Sequence, residues 1–437
     1  MGTSLAATMS VSSPPTPILP AFERAAALQR FRDVRHASAR ICLPLAIEDC
    51  VVQTMPDVSP PKWNLAHTSW FFETFLLRPF ASAYREAHPQ FGFLFNSYYE
   101  AVGERQPRHR RGMLSRPTVA EVYEYRRHID QAMSELIDSA EEPQWREILP
   151  LVELGLNHEQ QHQELMLTDV KHILAANPLQ PAYASARPAT QSAPANLAWQ
   201  EFSGGLIETG WDGAGFAFDN EGPRHKNYQQ PFRIASRLTT NAEFLEFIAD
   251  GGYSEPRFWL SEGWAAVQAE GWRMPLYWEE RDGEWLTFTL SGLQPLAAHE
   301  PVCHVSFFEA DAFASWSGKR LATESEWEQA AAGVPVEGRF LDPGVPCHPQ
   351  AAPNQPGLLQ LFGDVWEWTA SPYRPYPGYR PAEGAVGEYN GKFMCNQFVL
   401  RGGSCATPAG HIRPTYRNFF PPSARWQFSG IRLAEDV

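Results

Sequence analysis

The chain has 437 residues, with 50 acidic against 36 basic side chains and a formal net charge of −14. This length predicts two cores rather than one, and the acidic balance argues against a protein that clamps nucleic-acid phosphates. Apolar residues make up 43% of the chain, but there is no apolar run of 18 residues and the first 22 positions carry no charge, so neither a membrane span nor the basic start of a signal peptide is found; a cytoplasmic protein without a membrane or nucleic-acid partner is expected.

Residues 1–20 are rich in Ser, Thr, Pro and Ala, a composition that predicts disorder. The stretches 21–46, 63–80, 118–140 and 146–175 then carry apolar residues at helical spacing, with Pro and Gly assigned to the joints. They predict a four-helix bundle over 21–178. Residues 179–198 are rich in Pro, Ala and Ser and read as a linker.

From 199 to 437 come short strand-like runs, glycine turns and tryptophans such as Trp259, Trp264, Trp272, Trp278 and Trp285. The pattern predicts a loop-rich α+β domain. Three short helices are expected within it, at 240–250, 307–317 and 323–332. The last begins with Thr323 as cap ahead of an acidic first turn. The six cysteines, Cys42, Cys50, Cys303, Cys347, Cys395 and Cys405, form no CxxC pair, so reduced and mostly buried thiols are expected.

The fourth predicted helix contains His158-Glu159-Gln160-Gln161-His162. Residues four apart share a helix face, so both imidazoles can reach one metal ion. The same pentapeptide fits the H-E-x-x-H zinc hydrolases with Glu159 as general base, and it also fits an ordinary polar helix face. A third histidine, His67, stands upstream in Trp63-Asn64-Leu65-Ala66-His67-Thr68.

Taken together, Trp63-Asn64-x-x-His67-Thr68 and His158-Glu-x-x-His162-x-Glu164-Leu165 resemble the DinB-like iron-binding bundle of sulfoxide synthases. Downstream, His304 to Ala310, Gly318-Lys319-Arg320-Leu321-Ala322-Thr323-Glu324, Gly363-Asp364-Val365-Trp366-Glu367-Trp368-Thr369 and Leu400-Arg401-Gly402-Gly403-Ser404 resemble the formylglycine-generating (sulfatase-modifying-factor) domain. The order of the two parts, with Tyr389 to Met394, Thr415 to Phe420 and Arg425 to Phe428, is similar to the sulfoxide synthases of ergothioneine biosynthesis. The resemblance implies an α+β multidomain protein: an N-terminal DinB-like four-helix bundle followed by a C-type-lectin-like domain.

The resemblance also implies a chemistry. His67, His158 and His162 would hold Fe(II), and the enzyme would use O2 to join the sulfur of cysteine or γ-glutamylcysteine to the imidazole C2 of hercynine, giving a sulfoxide. Arg108 and Arg111 would take the carboxylate of the thiol substrate, for which a guanidinium fork is suited; Arg110 is the competitor. Trp426 and Gln427, with Phe420, Tyr416 and Gln161, would line the hercynine pocket, an aromatic face being suited to a quaternary ammonium.

Where some relatives carry an active-site tyrosine this chain reads Phe419-Phe420, so Tyr98 or Tyr99 is expected as the proton donor, with Tyr416 in reserve. The neutral Gln427 stands where users of γ-glutamylcysteine need a polar acid, which points to free cysteine. Ovothiol-type synthases, which act on histidine, usually carry a further methyltransferase domain; the chain stops at Val437, which favours the ergothioneine branch. Formylglycine-generating enzymes use a cysteine pair near R-G-G-S, and only Cys405 lies there in this sequence. No dense carboxylate loop suggests a Ca2+ site.

Overall fold

The computed structural model describes residues 24–185, 196–342 and 347–437. The N-terminal stretch expected to be disordered and residues 186–195 of the expected linker lie outside them. Four long helices form the N-terminal half: α1 (Arg24–Cys42), α2 (Pro61–Phe72), α3 (Val119–Ser139) and α4 (Glu142–Ala176). Both α1 and α2 pack on α3 and α4. Local chemistry sets the ends. α2 opens on Pro61, where the missing N–H costs nothing, and α3 opens on a capping box in which Thr118 and Glu121 satisfy each other's backbone N–H.

Every residue of α2 is buried, as in a helix enclosed on all sides. The helical path expected to reach residue 80 does continue, but through a π-helical turn at Glu73–Leu77. There the buried Glu73 carboxylate accepts the hydroxyls of Tyr84 and Tyr125, each at 2.5 Å. Pro150 and Gly155 lie inside α4 rather than at a joint. A Cβ at Gly155 would stand 2.6 Å from Cε1 of Phe72, so the glycine is what lets α2 and α4 approach so closely.

The C-terminal half is built on sheets. The last strand, Leu433–Asp436, lies antiparallel between Phe232–Ala235 and Arg320–Leu321, with Trp199–Phe202 at the edge. In a second sheet Trp366–Pro372 pairs antiparallel with Phe398–Arg401 and parallel with Ser429–Gly430, and Asn418–Phe420 forms the other edge. The helices Asn241–Ala249, Phe307–Trp316 and Glu324–Ala331 each start at a capping box. A further helix, Ser261–Glu270, was not expected; only Gly263 and Val267 of it are buried, which leaves no apolar stripe to read.

The two halves meet along α4. The buried Glu164 carboxylate accepts from Trp366 Nε1 at 2.7 Å, Thr407 Oγ1 at 2.7 Å and Ser404 Oγ at 2.5 Å. Residues 179–185, expected as the start of a free linker, are pinned: the Tyr183 hydroxyl donates to Ile41 O at 2.7 Å and its N–H to Leu290 O. Among the described residues no helix is long and apolar enough to cross a membrane.

Candidate metal centre and substrate cavity

Among the described residues, His67 of α2 and His158 and His162 of α4 present ligand atoms that all lie within 4.8 Å of one another. His67 Nδ1 donates to Phe95 O at 2.6 Å and His162 Nδ1 bonds Asn64 Oδ1 at 2.9 Å. Each partner is an oxygen acceptor, so Nδ1 carries the proton and Nε2 keeps its lone pair. His67 Nε2 lies 3.2 Å from His158 Nε2, close to the roughly 3 Å between two nitrogens that each sit ~2.1 Å from one ion.

The rings are clamped as well as aimed. Trp63 stacks on His67 at 4.7 Å and Phe71 on His158 at 4.7 Å. Burial pushes the pKa of all three imidazoles down, that of His158 to about 4, so they are neutral and competent as ligands. This donor set fits a divalent metal: neutral imidazoles suit Fe, Zn, Cu or Ni, and the set holds no carboxylate.

Glu159 faces away from the cavity. Burial alone would push its carboxyl pKa up, but Arg35 and Arg126, helped by Ser38, bring it down to about 2. Arg35 and Arg126 each approach at 2.9 Å and Ser38 Oγ at 2.6 Å. A carboxylate committed to two guanidiniums inside the bundle is not available as a general base for a zinc-bound water, so the hydrolase alternative loses its base.

The histidines open onto a cavity of ≈ 280 Å³ between the two halves. At one end Arg111 is buried and donates to Ser59 Oγ at 2.9 Å and Ser97 Oγ at 3.1 Å. Its guanidinium carbon lies 3.3 Å from the centre of the Trp63 ring, so Arg111, Trp63 and His67 form one stack. Arg108 lies beside it, donating to the Tyr98 hydroxyl and Asp57 O, each at 2.5 Å. Neither arginine forms an ion pair among the described residues, and burial pulls the Arg111 pKa down; a guanidinium fork has the geometry to bind a carboxylate bidentately. Arg110 is exposed and does not line the cavity.

At the other end Phe420 and Trp426 meet edge to face at 5.7 Å. Trp426 Nε1 and Gln427 Nε2 are buried donors without a partner among the described residues. Gln161 Nε2 donates to the Tyr416 hydroxyl at 2.7 Å, joining α4 to the C-terminal half. Tyr98 and Tyr99 both line the cavity. Tyr98 sits at the arginine end, and Tyr99 packs on Trp70, itself stacked on His67. Burial pushes the pKa of Tyr99 and of Tyr416 up, so both phenols keep their protons.

Residues 188–342 and 345–437 match the sulfatase-modifying factor enzyme 1-like domain, and 15–166 match the DinB superfamily. The hercynine oxygenase of Mycolicibacterium thermoresistibile is 32% identical over 418 residues, which cover 87% of this chain and 88% of that protein. The chain belongs to the hercynine oxygenase family. Hercynine oxygenases of Mycobacterium tuberculosis and Mycolicibacterium smegmatis are 36% and 42% identical over 64% and 51% of this chain; the matches take in 70% and 56% of those proteins.

Of the residues weighed from sequence for the site, His67, Tyr98, Tyr99, Arg108, Arg111, His158, Gln161, His162, Tyr416, Phe420, Trp426 and Gln427 line this one cavity, and Arg110 and Glu159 do not. Sequence reasoning missed Tyr389, whose ring lies 6.0 Å from that of Tyr98, and Asp169. Asp169 had a legible signal: His158, His162, Leu165 and Asp169 follow helical spacing, and all four line the cavity. The cysteines are as expected: all six are free thiols, and all but Cys395 are buried. Cys347 Sγ lies 3.6 Å from Cys405 Sγ, a contact between residues distant in sequence, and neither lines the cavity.

Proposed function

We propose that this protein joins the sulfur of free cysteine to the imidazole C2 of hercynine and oxygenates that sulfur, using O2 and Fe(II) held by His67, His158 and His162. The observation that carries this reading is the convergence, on one cavity, of three neutral imidazoles, two arginines without a carboxylate and an aromatic corner with unpaired donors. Iron(II) bound there would supply open coordination positions and electrons for reducing O2. The reaction balances: the C2 and thiol protons leave, one C–S and one S–O bond form, and O2 takes four electrons to become the sulfoxide oxygen and one water.

The chain's own residues divide the remaining work. Arg108 and Arg111 hold the carboxylate of the thiol substrate and turn its sulfur toward the histidines. The Phe420–Trp426 corner takes the trimethylammonium group, which has no hydrogen to donate and is held by ring faces, and Gln427 Nε2 offers a donor to the hercynine carboxylate. Tyr98 accepts from Arg108, which leaves its own proton free to donate into the cavity. γ-Glutamylcysteine remains the competing thiol donor.

The test is anaerobic loading with Fe(II), followed by hercynine, a thiol and oxygen, with mass spectrometry of the product. A hercynine–cysteine sulfoxide is expected, with histidine a poor replacement for hercynine. If neither cysteine nor γ-glutamylcysteine yields a carbon–sulfur product, the reading is wrong.

A further inference from the structure

Asp169 lies seven residues beyond His162 on α4 and lines the cavity. It is only 3% exposed. One carboxylate oxygen, Oδ2, accepts from Ser59 N at 3.0 Å and Asn64 Nδ2 at 3.5 Å. The other, Oδ1, is buried and has no hydrogen-bond partner among the described residues. No ion pair among the described residues involves Asp169, and burial pushes its pKa up to about 7. A buried carboxylate left half satisfied is costly in a finished fold, and a cationic ligand removes that cost.

The geometry supplies the rest. Ser59 links the two charges: its N–H binds Asp169 and its Oγ takes Arg111. A buried carboxyl group and a buried guanidinium thus stand on either side of one residue, with no ion pair between them among the described residues. Such an arrangement is complementary to a zwitterion, whose carboxylate and ammonium are carried by a single carbon.

We infer that Asp169 is the ammonium subsite for the thiol substrate, taking the α-ammonium of free cysteine while Arg108 and Arg111 take its carboxylate. The inference rests on the proposed function for the identity of the amino acid. It also gives the thiol preference a physical cause. In γ-glutamylcysteine the same nitrogen is acylated, so it is a neutral amide and brings no charge to Asp169. Free cysteine alone satisfies both buried charges, and Asp169 determines specificity by recognising that difference.

The test uses the Fe(II)-loaded full chain under anaerobic conditions, titrated calorimetrically with L-cysteine and with 3-mercaptopropionate, the same thiol acid without the ammonium. The wild-type protein is expected to bind cysteine at least about tenfold more tightly, as one charge-assisted hydrogen bond provides. Asp169→Asn should abolish that difference and leave 3-mercaptopropionate within about twofold. In turnover, the variant's ratio of kcat/KM for cysteine over γ-glutamylcysteine should fall by about tenfold, through KM.

Equal wild-type affinity for the two thiols overturns the subsite, and that comparison stands even if the variant does not fold. So does a variant that weakens both thiols alike, because Asp169 would then merely hold Ser59 and, through it, Arg111. Ammonium-dependent binding without any hercynine–sulfur product would leave the subsite standing and remove the proposed function instead.

Discussion

The two faces of α4 both bury charge, and they treat it in opposite ways. On the face toward α1 and α3, the Glu159 carboxylate is met by Arg35, Arg126 and Ser38, while Gln163 donates to Val34 O and Ser38 Oγ. On the face toward the cavity, Asp169 Oδ1 has no partner among the described residues, and across the cavity neither do Trp426 Nε1 and Gln427 Nε2. Folded proteins satisfy nearly all buried polar atoms, so an exception beside a cavity points to a ligand. The contrast is clearest between two buried carboxylates of this helix: Glu159 is met by three donor side chains, and Asp169 keeps one oxygen without a partner among the described residues.

The largest expected effect tests the cavity face. His162→Ala should lower turnover by about a thousandfold or more, roughly 4 kcal/mol of transition-state stabilisation, and reduce bound metal measured by mass spectrometry, while the melting temperature of the metal-free protein stays close to wild type. A variant that kept full metal content and turnover would show that this face is no metal site. The opposite pattern is expected one residue from His158. Glu159→Gln leaves Arg126 buried without its counter-charge and Arg35 with Asp130 alone, and should cost about 3–5 kcal/mol of stability by urea titration, while the folded fraction still binds metal stoichiometrically. Loss of metal with unchanged stability would reverse the two roles.

Next in size is the contact that sets the distance between the two ligand-bearing helices. Gly155→Ala gains helix propensity of up to about 1 kcal/mol, yet its methyl would fall on the buried Phe72 ring, an overpacking cost of about 1–3 kcal/mol. Net destabilisation and weaker metal affinity are expected together, since α2 carries His67 and α4 carries His158 and His162. Weaker metal without loss of stability would mean that the helices separate freely. Tyr416→Phe should do less. It strands Gln161 Nε2 and is expected to cost about 1 kcal/mol, with the effect of Gln161→Leu largely absorbed in the double variant; additive effects would mean that the contact carries no coupling.

Much of this was legible in the sequence because it is local. The periodicity of 118–140 and 146–175 predicted α3 and α4 to within a few residues, and the four-residue spacing of His158 and His162 placed both on one face. What was not legible depends on distant residues. The same pentapeptide offered Glu159 as a catalytic base, and only the fold brings Arg35, 124 residues away, and Arg126, 33 residues away, onto its carboxylate. Gln161 and Tyr416 meet across 255 residues. Cys347 reaches Cys405 in the same way, through a fold that no local pattern announces.

The smallest expected effect concerns Arg110, which shares a short 3-10 turn with Arg108 and Arg111. Composition cannot tell these three arginines apart; burial can. Arg111 is enclosed by Trp63, Ser59 and Ser97, whereas Arg110 points to solvent, where a charge near the cavity acts only through water at high dielectric. Arg110→Ala should therefore raise the KM for cysteine less than about twofold at low salt, and the change should vanish near 0.15 M salt, where exposed charges are screened over ~8 Å. A salt-independent rise of tenfold or more would move the carboxylate seat out to the rim, and burial would then no longer tell Arg111 from Arg110 in function.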